Sequence, residues 1–238
     1  MLQYAKPVKY QATVAHKKQL TSKVFLTIYQ LTNPSAMSFY PGQTISLTVA
    51  PGTFRPMSIA SPPQERSRIT TFQDISPGGP GSQWMLRIRE GDTLEFMGPL
   101  GRFTADYQSP RKKVLIATGT GIAPYWSMLY DTTETKISDE NIALYWGLRY
   151  KEDMYLTDEI AQLKQERKNL AYYFVLSKPP DDWQGLRGHI NEYVFANEKT
   201  LTNCDFYLCG NNAMIRDMES ALLVKGVPKE QIKKDVFF

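Results

Sequence analysis

The sequence predicts two domains: an N-terminal antiparallel β-barrel over residues 1–107, then a C-terminal α/β doubly wound parallel sheet over residues 112–238. Three observations carry this. Turn signals punctuate short β-rich runs as far as Pro110. Beyond it, apolar strand-like runs alternate with helix-like ones. Between the two, Lys113–Thr118 runs directly into Gly119-Thr-Gly121-Ile-Ala-Pro124, a strand–turn–helix start.

In the first half, Lys23–Tyr29 is β-rich. Ile45, Leu47 and Val49 alternate with Thr44, Ser46 and Thr48, the period of a half-buried strand. Asn33-Pro34, Pro41-Gly42, Pro51-Gly52, Pro62-Pro63, Pro77-Gly78-Gly79, Gly91-Asp92 and Gly98-Pro99 separate such runs, as in an antiparallel barrel. Gln108-Ser-Pro110 reads as the linker. In the second half, Lys113–Thr118, Asn141–Gly147, Leu170–Leu176 and Asp205–Cys209 read as buried strands. Thr157 suits a helix N-cap, with Asp158 and Glu159 in the first turn. Ala213–Lys225 reads as a helix with Met214, Met218, Ala221 and Leu222 on its apolar face, Gly226 as its stop and Pro228 beyond.

The glycine turn has its own chemistry. Gly119 and Gly121 permit positive φ and close backbone approach. Pro124 fits a first helical turn, where its missing N–H costs nothing. A helix start behind such a turn is a natural anion site. Taken alone, it fits a plain strand–turn–helix corner equally well. In a doubly wound sheet, ligands lie beyond the carboxyl ends of the strands. There Thr118–Pro124, Gly147–Arg149 and Cys209-Gly-Asn-Asn212 converge.

Composition narrows the chemistry. The net charge of +4 comes without a dense basic block. Lys17-Lys18, Arg111-Lys112-Lys113 and Lys233-Lys234 are expected on the solvated surface, and no nucleic-acid partner is expected. No apolar run approaches the roughly 18 residues of a membrane span. Met1–Pro7 lacks a signal-peptide apolar region, so the expected location is cytoplasmic. Two cysteines and two histidines leave almost no material for a zinc site and exclude a four-cysteine iron–sulfur cluster. No metal site is therefore expected. Cys204 and Cys209, in one extended segment, would lie roughly 16 Å apart on opposite faces, which disfavours a bridge. Redox chemistry here would need an organic cofactor.

Five segments carry a resemblance: Arg55-Pro-Met-Ser-Ile-Ala-Ser61, Gly79-Pro-Gly-Ser82, Gly98-Pro-Leu-Gly-Arg-Phe103, Gly119–Pro124 and Cys209-Gly-Asn-Asn-Ala-Met214. In this order and spacing they resemble the ferredoxin–NADP reductase family, which includes the flavin reductases. The resemblance covers nearly the whole chain. It implies a flavin-binding barrel holding FAD and an α/β nucleotide-binding domain holding NADPH or NADH. By the same resemblance Arg55 meets the flavin pyrophosphate, Pro56 and Met57 lie along the flavin strand, and the Ser58 hydroxyl lies near flavin N5. Gly79, Gly81 and Ser82 form a second phosphate loop. Thr118, Gly119, Thr120, Gly121 and Pro124 form the pyridine-nucleotide cradle. Cys209 faces the nicotinamide beside Gly210. Ser58 and Cys209 are the implied catalytic positions, Cys209 without a covalent role.

Two positions depart from or extend the pattern. The family usually has an aromatic where this chain has Met57, so weaker or more exchangeable flavin binding is expected. Arg149, with Lys151 and Lys178, offers charge for a nucleotide 2′-phosphate, giving a slight expectation of NADPH. Phe237 or Phe238 matches the terminal aromatic that covers the other flavin face; a last β-strand in the sheet core is an equally good reading. The resemblance implies an FAD-dependent NAD(P)H reductase feeding a ferredoxin, a flavodoxin or an oxygenase component. A reductase of free flavin, and a flavin-binding electron-transfer or regulatory subunit of a larger complex, are the alternatives. His16 and His189 are expected to be structural or surface residues.

Overall fold

The computed structural model describes residues 3–132 and 141–236. It divides into two compact units: residues 1–105 with 123–134, and residues 106–122 with 135–238.

The first unit is built on a six-stranded antiparallel sheet. Its strands are β1 (Val8–Gln19), β2 (Val24–Asn33), β3 (Thr44–Ala50), β4 (Thr53–Ser58), β5 (Arg68–Asp74) and β6 (Thr93–Leu100), with helix α1 (Pro80–Arg87) between β5 and β6. They lie in the order β4-β3-β6-β1-β2-β5. The sheet curls until its edges meet: Ala60 N–H, just past β4, donates to Thr70 O on β5 at 2.8 Å. The alternation read in β3 is the one observed, with Ile45, Leu47 and Val49 buried and the residues between them half-exposed. Tyr29, Ile45, Leu47, Ile69 and Phe96 fill the interior. Each such side chain contributes about 1.5–3 kcal/mol on burial.

Helix α2 (Ala123–Tyr130), expected with the second half, packs into this first unit. Its Ser127 hydroxyl donates to Ser61 O at 2.7 Å. Tyr125 meets Phe103, and Trp126 meets Phe72 edge-on. An almost wholly apolar helix buries more surface there than a polar-backed one would.

The second unit is a parallel six-stranded sheet. Its strands are β7 (Lys112–Thr118), β8 (Ile142–Leu148), β9 (Leu170–Leu176), β10 (Leu186–Arg187), β11 (Cys204–Cys209) and β12 (Ile232–Asp235). The order is β10-β9-β8-β7-β11-β12. Helices α3 (Thr157–Glu166), α4 (Ile190–Asn197) and α5 (Asn212–Val224) provide crossovers. The chain moves from β7 to β8 on one side and later returns to β11 on the other. This reversal is the switch point at which doubly wound sheets open a crevice.

Three local expectations are corrected. Thr157 is the first helical residue of α3, and the N-cap is Leu156 in the left-handed region at φ 56°. Helix α5 is capped by the Asn211 side chain, which accepts from Ala213 N–H at 2.8 Å; Ile215, Met218 and Leu222 form its buried stripe, with Met214 only partly buried. Arg111-Lys112-Lys113 is not simply solvated surface. Lys113 is buried and its Nζ donates to Ser109 O and Arg111 O, both at 2.7 Å. Arg111 Nε donates to Asp205 at 2.8 Å, and Lys112 Nζ to Glu198 at 2.8 Å. Burial alone would raise the Asp205 carboxyl, but hydrogen bonds from Ser109 and Arg111 and the Lys113 charge hold it below its ordinary value. The cations turn inward because β11 and the end of α4 bring buried carboxylates to them. Removing one partner of the Lys113–Asp205 pair, which is buried on both sides, costs about 3–5 kcal/mol.

Candidate functional site

In the first unit the site begins at the start of α1. The sequence segment Gly79–Ser82, expected as a loop, is the N-terminus of this helix, with Gly79 as N-cap and Pro80 in the first position. Proline pre-sets the helical φ where no N–H is needed, so Gly-Pro-Gly starts a helix here instead of looping. No side chain caps it. The first-turn amides of Gly81 and Ser82 therefore have no intrahelical partner to receive them. A Cβ added at Gly79 would meet nothing within 4 Å, so the approach is open. A Cβ at Gly81 would lie 3.2 Å from Arg55 Cγ. The Arg55 stem thus lies along the helix start, with its Nη1 donating to Phe54 O at 2.7 Å.

Arg55, Pro56, Met57 and Ser58 follow one another on β4, an edge strand. Pro56 is exposed, as an edge allows. Met57 is half-buried and packs on the barrel core. Ser58 closes the strand at 7% exposure. Its Oγ is buried and has no hydrogen-bond partner. A buried hydroxyl left unpaired is costly and calls for a reason.

In the second unit the site lies at the carboxyl ends of β7 and β11. Gly119 takes φ 54° at the start of a 3-10 turn over Gly119–Ile122. Gly121 is pressed against β11, where an added Cβ would lie 2.3 Å from Cys209 O. Gly210 sits at φ 133°, and its added Cβ would lie 2.2 Å from Thr118 Oγ1. That hydroxyl accepts from Asn211 N–H at 2.7 Å. Thr118 therefore ties the two loops together. Cys209 is fully buried, and burial first, then the Asp235 charge, pushes its thiol well up. A thiol raised in this way disfavours the thiolate, the form that acts as a nucleophile. Cys204 is likewise a free, buried thiol, pushed up to about 11 by burial and the Glu198 charge.

Thr118, Gly119, Thr120, Gly121, Cys209 and Gly210 are thus gathered at one sheet end. Arg149 lies in the loop after β8, exposed and over the Tyr150 ring at 5.4 Å. Lys178 N–H donates to Arg149 O at 2.8 Å, which carries β9 alongside. Pro124 is buried in the first turn of α2 and groups with the first unit. Phe237 and Phe238 lie outside the described residues. His16 is exposed beside Glu90 at 2.8 Å, and His189 is exposed before α4.

Sequence reasoning gave no individual role to four residues that shape these turns. Gln73, 5% exposed on β5, donates from Nε2 to Gly81 O at 2.7 Å. A glutamine beside buried Phe72 was the available signal. Asn211 caps α5 and meets Thr118. Trp146 and Tyr155 both reach the Gly119 carbonyl. A buried indole or phenol needs a polar partner, which was the signal for those two.

Family models match both halves: an oxidoreductase FAD-binding domain over residues 11–105 and an oxidoreductase NAD-binding domain over residues 115–220. The chain belongs to the ferredoxin–NADP reductase family. Among its relatives is the electron transfer component of a Pseudomonas putida xylene/toluene monooxygenase, 29% identical over 237 residues, 98% of this chain and 66% of the relative. Ferredoxin–NADP reductase B of Sorangium cellulosum is 28% identical over 235 residues, 94% of this chain and 95% of that protein. An Amycolatopsis cytochrome P450 reductase shares the fold with a TM-score of 0.88 at 24% identity, over 96% of this chain and 69% of that one. The chain spans about half the length of several other curated relatives.

The two cofactor classes of this reductase family fit the residues present. An uncapped helix start with an open approach and a nearby guanidinium suits a pyrophosphate. The orphaned Ser58 hydroxyl suits a polar ring edge. The glycine turn at the switch point suits a second dinucleotide. Among the described residues no cluster of metal-ligating side chains exists, and no helix is long and apolar enough to cross a membrane.

Proposed function

We infer that this chain is an FAD-dependent NAD(P)H reductase whose electrons go to an acceptor protein of ferredoxin or flavodoxin type, or to an oxygenase component. FAD, when bound, supplies a ring that accepts a hydride and releases electrons in a pair or singly. The observation that carries the reading is the Ser58 hydroxyl, buried and partnerless at the end of β4. A buried hydroxyl without a protein partner fits a group that a bound ring edge would meet.

The chain's own residues then divide the work. Arg55, with Gly79, Gly81 and Ser82 at the start of α1, would hold the FAD pyrophosphate. Gln73 would keep Gly81 in register. Pro56 and Met57 would flank the ring, with Ser58 offering its hydroxyl at the ring edge. Thr118, Gly119, Thr120, Gly121 and Pro124 would cradle the pyridine nucleotide, with Cys209 and Gly210 beneath it. Phe238 remains a proposed cover for the flavin. Residues 1–107 and 112–238 are the proposed cofactor halves. Arg149 and the neighbouring Lys151 and Lys178 favour NADPH slightly. Two free thiols suit a reducing compartment, so we place the chain in the cytoplasm.

Met57 supports a second reading, in which flavin is an exchangeable substrate. A thioether packs on a ring but lacks the planar area of an aromatic. Met57→Tyr is expected to slow FAD dissociation about fivefold to tenfold, in line with the roughly 1 kcal/mol of an aromatic stack. Stopped-flow release of FAD checks this, and an unchanged off-rate would count against it. The main reading is tested by purifying the protein and following its flavin absorbance during anaerobic additions of NADPH and NADH.

A further inference from the structure

We propose that Trp146 and Tyr155 are positioning residues that clamp the glycine turn into its nucleotide-receiving shape, with the strained Leu156 aiming the phenol. The proposal rests on the reading that this turn takes a pyridine nucleotide.

Both side chains reach one atom. Trp146 Nε1 donates to Gly119 O at 2.9 Å, and the Tyr155 hydroxyl donates to the same oxygen at 3.4 Å. The rings brace each other edge-on, perpendicular, with centroids 4.8 Å apart. Trp146 is fully buried and Tyr155 is 5% exposed, so neither turns freely. They come from different elements: Trp146 from β8, Tyr155 from the segment entering α3.

The consequence follows from the planarity of the peptide unit. In a trans peptide the carbonyl of Gly119 and the N–H of Thr120 point in opposite directions. Two donors holding the carbonyl inward therefore hold the Thr120 N–H outward. Space beside Gly119 itself is clear, since a Cβ there would meet nothing within 4 Å. A turn clamped on one side and open on the other presents its amides without reorganising when an anion arrives.

Leu156 shows what this arrangement demands. It is the sole non-glycine residue with positive φ among the described residues, at φ 56° and ψ 21°. Bulky side chains avoid this conformation, and it persists only where surrounding structure enforces it. Ile160 N–H donates to Leu156 O at 3.0 Å, which anchors the strained residue to α3. A leucine kept there, directly after the phenol that reaches Gly119, sets the angle at which the chain delivers that phenol.

The test uses the full chain with Tyr155→Phe, Trp146→Phe and Leu156→Gly. In the nucleotide-free protein, Tyr155→Phe is expected to speed amide exchange across Gly119–Ile122 about fivefold to tenfold, with β12 unchanged. Calorimetric Kd values for NADH and NADPH should rise about fivefold to tenfold in both aromatic variants, with the FAD Kd unmoved. Leu156→Gly should weaken nucleotide binding about threefold without lowering Tm, which a merely structural role would not produce. If Trp146→Phe does not fold, Tyr155→Phe decides. Unchanged exchange and unchanged Kd in Tyr155→Phe overturn the clamp. Wild-type protein that binds no pyridine nucleotide overturns the functional reading instead, and the exchange measurement still decides the clamp.

Discussion

Ser58→Ala is expected to leave the protein at least as stable as the wild type while slowing NAD(P)H oxidation about 100-fold. The two effects have separate causes. In the free protein the Ser58 Oγ is buried with no partner. Deleting an unsatisfied buried hydroxyl removes a desolvation cost, so stability is unchanged or rises by up to about 1 kcal/mol. The slowing follows if the hydroxyl finds its partner only when cofactor and nucleotide are in place. Loss of one such preorganised group costs about 10²–10³-fold in rate. Thermal unfolding and steady-state turnover measured on the same preparation check both halves. Lower stability with normal turnover would make Ser58 an ordinary core residue.

Gly210→Ala is expected to have a large structural effect. The position combines φ 133° with a Cβ that would sit 2.2 Å from Thr118 Oγ1 and 2.7 Å from Thr118 O. Backbone cannot yield as a flexible side chain can. Strain and overpacking together cost about 3 kcal/mol or more. For a chain of this length that lowers Tm by roughly 6–12 °C. The tie between Thr118 and Asn211 must open to admit the methyl, so the affinity for NAD(P)H should fall with it. Gly226→Ala is the control. Its φ is 82°, but an added Cβ meets nothing within 4 Å. It should lose only the roughly 1 kcal/mol of an unfavourable φ and keep its nucleotide affinity. Equal losses in both variants would mean that φ, and not the fit of Gly210 against Thr118, sets the cost.

What was legible in the sequence had local physical causes. The alternation of Ile45, Leu47 and Val49 is a property of one strand, and it reads directly as a barrel wall. The unbroken apolar runs at β7, β8 and β11 need cover on both faces, which is the mark of a parallel sheet. The glycines at 119, 121 and 210 stand where the chain permits no Cβ or turns left-handed.

What was hidden depended on partners distant in sequence. Gly79–Ser82 is the exception, a helix start whose signal, Pro80, is local. Lys113 resembles surface charge until β11 brings Asp205 alongside it. Thr157 resembles a cap, but the cap position falls to Leu156, whose strain no local preference would choose. Gln73, Trp146 and Tyr155 do their work on carbonyls 8 to 36 residues away. Only tertiary packing shows which carbonyl each one finds.

The most direct test of the reductase reading is an anaerobic titration of the purified protein. Yellow protein bleached stoichiometrically by NADPH or NADH is the expected result. Colourless protein that oxidises NAD(P)H only after free flavin is added would replace it with the flavin-reductase reading. Protein that neither binds flavin nor oxidises NAD(P)H under any of these conditions would contradict it.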